Sequence, residues 1–111
     1  MYRSDTIELA QTWNFDFDTG VPGDPGIWFE AVTGSERYLV GPIAVVGDVS
    51  VGEAGCQARD ISPSVRIPIE KFKDGTWACF RTPQGRLGEF QVKTTSSYSP
   101  NPIKLTYTVW K

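Results

Sequence analysis

Three aspartates, Asp16, Asp18 and Asp24, stand close together beside Gly20 and Gly23. Hard cations such as calcium take about six to eight oxygen ligands, and closely spaced carboxylates on a turning backbone supply several. Alternate strand residues point the same way, so Asp16 and Asp18 share a face. The spacing departs from the helix-loop-helix calcium pattern: counted from Asp16, the twelfth position is Ile27 rather than an acid. The same residues also suit a strand end, where aspartates solvate the chain and blunt an edge against aggregation.

A second set is aromatic. Trp28, Trp77 and Trp110 have strand parity opposite to the core candidates Phe29, Phe80 and Val109. With those neighbours inside, the three indoles face outward, and Tyr38 joins them on the next strand. Exposed large aromatics mark an interface. Sugar rings present apolar C–H faces that stack on indole, so a glycan is the first ligand class to expect. Strand rims or bulges would instead cover the same side chains. Trp13 reads as ordinary core.

Catalytic chemistry finds little support. The chain contains no histidine, which removes the commonest general base near neutral pH and the commonest metal ligand. Serine-histidine and cysteine-histidine pairs are impossible within one chain. Glu30, Glu36 and Glu89 show no spacing suited to a glycosidase pair across a cleft. They read instead as cross-strand partners of Arg37, Arg81 and Arg86. Cys56 and Cys79, the two cysteines, cannot make a zinc site without histidine. They form either a disulfide, worth roughly 3 kcal/mol by the chain-entropy relation, or two buried free thiols. Cys79 has the parity opposite to Phe80 and is expected on the other face.

These residues must be positioned by strands. Ile7, Leu9, Trp13, Phe15 and Phe17 share one parity, which predicts a long strand over 7–17. Further strands are predicted over 27–33, 37–40, 43–46, 65–69, 77–82, 87–93 and 103–109. Gly34-Ser35 reads as a hairpin turn. Pro83-Gln84-Gly85 joins the clearest hairpin, proline setting φ and glycine supplying a positive φ. Pro68 places its strand at an edge. Residues 47–63 read as irregular, 94–102 as a polar loop, and no helix is expected. Seven or eight strands in one domain, 1–111, predict an all-β, two-sheet antiparallel sandwich, with a small barrel as the alternative.

Composition agrees. The 111 residues are 40% hydrophobic and 13% aromatic, punctuated by 11 glycines and 8 prolines. Net charge is −2, with no basic run to neutralise phosphates, which argues against nucleic acid as a partner. No apolar stretch approaches the ~20 residues of a membrane helix. Residues 1–10 lack the apolar core of a signal peptide. The chain is thus expected to be cytoplasmic as written or a domain excised from a secreted protein.

Several segments carry a resemblance when taken in order. They are Phe15-Asp16-Phe17-Asp18-Thr19-Gly20, Ile27-Trp28-Phe29-Glu30-Ala31-Val32 and Glu36-Arg37-Tyr38-Leu39-Val40. Gly75-Thr76-Trp77-Ala78-Cys79-Phe80-Arg81-Thr82, Gly85-Arg86 and Leu105-Thr106-Tyr107-Thr108-Val109-Trp110 follow. The chain resembles an all-β accessory module that recurs in large bacterial proteins. The resemblance implies an accessory role beside other domains and assigns no catalytic residues.

The expected function is therefore non-catalytic. It is a binding module whose outward aromatics meet a glycan or a protein partner, with no cofactor beyond a possible calcium ion. The alternative is a structural or oligomerising module using the same aromatics.

Overall fold

Period-two alternation buries one face of a strand, and two such faces bury each other. The computed structural model describes residues 2–23, 26–33, 36–94 and 102–111. Among them ten strands form two antiparallel sheets of five. The first sheet runs β1 (Arg3–Leu9), β10 (Ile103–Val109), β9 (Leu87–Thr94), β8 (Trp77–Arg81), β6 (Ile43–Gly47). The second runs β3 (Val21–Pro22), β2 (Asn14–Asp16), β4 (Ile27–Ala31), β5 (Arg37–Gly41), β7 (Val65–Pro68). Neither sheet closes into a barrel, so the sandwich is the architecture formed.

The inner faces meet in one core. Leu9, Phe80, Phe90, Leu105 and Tyr107 come from the first sheet, and Phe15, Ile27, Phe29 and Leu39 from the second. Phe17, just past β2, sits between them, its ring 4.5 Å from Phe80 and 4.8 Å from Tyr107. Each fully buried side chain of this size contributes roughly 1.5–3 kcal/mol. Gly88 has no side chain because the Phe80 ring lies directly over it.

Several expectations need correction. The predicted strand 7–17 is two strands in different sheets. At Ala10 the chain leaves the first sheet; Trp13 N–H bonds back to the Ala10 carbonyl at 3.1 Å, and Thr12 adopts φ 70°. The corner shifts Trp13 out of the core pattern, leaving it 49% exposed. The strand count exceeds seven or eight because β2 and β3 are only 3 and 2 residues long. A short helix, α1 (Gly52–Gln57), stands in the stretch read as irregular. The hairpin turn at 34–35 and most of the loop 94–102 fall outside the described residues. Pro68 does lie in an edge strand, β7.

Candidate functional site

The outer face of the second sheet is built from two cross-strand rows. Asn14, Trp28, Val40 and Arg66 pair in one, and Glu30, Tyr38 and Pro68 in the other. Buried Phe29 and Leu39 alternate with Trp28 and Tyr38, which turns the latter two outward. Trp28 is half-buried, and its indole Nε1–H donates to the Thr12 carbonyl at 3.1 Å. The corner that exposes Trp13 thus also holds the Trp28 ring. Arg66 lies over the Tyr38 ring, 3.7 Å from its centroid, and donates to Glu30 Oε1 at 2.7 Å. One face of Tyr38 is therefore already covered. The hydrogen bond that Arg66 donates to Glu30 raises the Arg66 pKa further.

Trp28 borders a cavity of about 330 Å³ where the chain crosses between sheets at Gly41-Pro42. Asn14, Val40, Ser64, Arg81 and Thr82 also line it. This is the small end of the ligand-pocket range, roughly 300–1,000 Å³. The arrangement places an indole beside an amide, two hydroxyls and a guanidinium. A ring with one apolar face and hydroxyls at its rim matches that chemistry. Arg81 N–H donates to the Pro42 carbonyl at 3.1 Å, which fixes the end of β8 against the crossing.

Asp16 and Asp18 are engaged in hydrogen bonds within the fold. Asp16 Oδ1 accepts the Asp18 N–H at 2.9 Å. Asp18 is buried, accepting from Arg86 Nη1 at 2.9 Å and from the Gln84 N–H at 2.8 Å. Burial alone would raise its pKa. Hydrogen bonds from the Thr82 hydroxyl, the Gln84 amide and Arg86 outweigh that and hold the carboxyl below its ordinary value. Arg86 also stacks on Tyr2, 3.9 Å from the ring centroid. Asp24 lies outside the described residues. Among those described, no three acidic, cysteine or histidine side chains come together as a metal cluster.

The other aromatic candidates are on the opposite side of the molecule. Trp77 and Cys79 share the outer face of the first sheet, which α1 partly covers. Cys56 of α1 and Cys79 of β8 form a disulfide. Leu87, Val46, Val51, Ile61 and Trp110 pack with it in a second apolar cluster. Trp28 and Tyr38 therefore do not share a site with Trp77 and Trp110.

The expected ion pairs are redistributed. Glu30 pairs with Arg66 and Arg86 with Asp18. Glu89 takes hydrogen bonds from Ser50 and Val51, not from an arginine. Arg37 is wholly buried, donates to Gln11 Oε1 at 3.2 Å and lies over the Phe29 ring. Burial lowers its pKa, and the charge of Glu70 partly restores it.

The sequence pattern does not single out Asn14, Ser64 or Arg81 as site residues. Only Arg81 carried a signal, a cation ending a strand before a tight turn. No helix among the described residues is long and apolar enough to cross a membrane. Comparisons with protein-family models, curated proteins and solved structures find no match.

Proposed function

We propose that the protein is a non-catalytic binding module that takes a glycan at the cavity beside Trp28. The observation that carries this is the fixed indole: its N–H is tied to the Thr12 carbonyl, and its ring borders a cavity with polar groups around it. A ring already held in place loses little conformational freedom when a ligand stacks on it. No cofactor is needed. Intrinsic fluorescence is read against a panel of soluble polysaccharides, with and without calcium. A saturable shift that Trp28→Ala abolishes, with the fold retained, is the expected result. No response from any polysaccharide rejects the glycan reading.

One feature favours a structural or oligomerising role as a second reading. β1 is an edge strand of 7 residues, with no proline and a regular register. Such an edge offers unpaired backbone groups to another strand. Elution on size exclusion that shifts with concentration would support it, and a strict monomer at every concentration would reject it.

A further inference from the structure

Arg81 lines two cavities at once. The first is the Trp28 cavity, and the second, about 410 Å³, lies on the far side of the β8–β9 turn. The second is lined by Arg81, Arg86 and Lys111, with Glu53 as its one acid. The three cations are not equivalent. Arg86 is committed to Asp18 and to the Tyr2 ring. Arg81 has no ion pair among the described residues, and its Nη1 makes only a 3.5 Å contact with the Gly85 carbonyl. Its backbone is held by the Pro42 carbonyl while its side chain is exposed. The whole chain carries net charge −2, so this local excess of cations runs against the average.

We infer that the ligand is an acidic saccharide, with one ring on Trp28 and a carboxylate on Arg81. The inference rests on the glycan reading above and adds the ligand's charge to it. A guanidinium presents a planar fork that matches a carboxylate through two parallel N–H···O bonds. A uronic acid carries that carboxylate on the ring that would stack. Chain extension past Arg81 brings the next ring to the second cavity, where Lys111 adds a further cation.

The test titrates the protein with oligosaccharides of polygalacturonate, alginate and hyaluronan, each beside its carboxyl-esterified form, and with neutral xylan and galactan oligosaccharides. Esterification keeps the ring and removes the charge. At least one acidic oligosaccharide is expected to bind tenfold or more tighter than its ester, with affinity falling as salt rises. Arg81→Gln should erase that preference, bringing the affinity for the acid down to that for its ester, and leave thermal unfolding unchanged. Arg81→Lys, which keeps charge without the fork, should retain part of the preference.

Equal affinity for acid and ester, lost in Trp28→Ala, overturns the acidic ligand and keeps the glycan reading. Binding of neutral oligosaccharides alone does the same. An acid preference that survives Arg81→Gln, or is matched by poly-glutamate of equal charge, overturns the assignment. Absence of binding to every saccharide rejects both readings together.

Discussion

Cys79 and Glu89 face each other across β8 and β9, and both hold the same helix. Cys79 is bonded to Cys56 within α1. The buried Glu89 carboxylate accepts the Val51 N–H at 2.9 Å, the Ser50 hydroxyl at 2.7 Å and, more weakly, the Gly52 N–H at 3.4 Å. A helix N-terminus leaves its first amides without partners. Val51, at the N-cap, has no side-chain oxygen to supply. The sheet provides the cap instead.

Glu89→Ala should therefore cost stability. Hydrogen bonds to a charged group are worth roughly 1.5–3 kcal/mol. A fall in melting temperature on the order of 8 °C is expected by calorimetry. A change below one degree would show that α1 does not depend on this carboxylate.

Replacing both cysteines by serine should lower stability by about 3 kcal/mol in denaturant titrations. The sheets should persist, because the cluster around the disulfide is separate from the core between the sheets. Strand circular dichroism unchanged in native buffer, with Trp110 emission shifted to the red, is the expected pair of readings. Loss of the strand signal would show that the two clusters fold as one.

Asp18 should make stability fall in acid. Its folded pKa lies below the unfolded value, so its contribution is full above about pH 4 and is lost as pH drops through the depressed value. Asp18→Asn should destabilise on the order of 1.5 kcal/mol at pH 7. The gap between the variant and the parent should narrow as pH falls below the ordinary carboxylate range. A gap independent of pH would mean that shape, not charge, holds the β8–β9 turn.

Tyr107 offers a test in the opposite direction. Its hydroxyl is buried without a hydrogen-bond partner among the described residues, and burial raises its pKa. Tyr107→Phe should raise stability by about 1 kcal/mol, since a buried unpaired hydroxyl is costly. The raised pKa favours the neutral form in the fold, so its share of stability is present below about pH 10 and lost above the raised value. The phenylalanine variant should lack that alkaline loss. A destabilised variant would place a partner, such as a buried water, on the hydroxyl.

The sandwich was legible where one face of a strand is buried throughout. In β10, Ile103, Leu105, Tyr107 and Val109 are buried and the residues between them are not. The same logic turned Trp28 outward from Phe29. It misled over 7–17 because Leu9, Phe15 and Phe17 are all buried, yet Leu9 lies in one sheet and Phe15 in the other, with a corner between them. Thr12 takes a positive φ there, where a glycine would have announced the turn. The helix was hidden because its 6 residues bury only Cys56, too few to show a period. The cavity could not be read at all. Pro42, Ser64 and Arg81 meet Trp28 through tertiary crossing, which leaves no local pattern.

The pairing of β1 with β10 has a mechanical consequence. Arg3 lies opposite Val109 at one end of the ladder and Leu9 opposite Ile103 at the other. A pull applied through Arg3 and Val109 loads the ladder from a single end. Each backbone pair then bears the tension alone, and the pairs part in turn rather than sharing the load in shear. Under tension β1 should peel away first, uncovering the edge of β10 while the remaining four strands of that sheet stay joined.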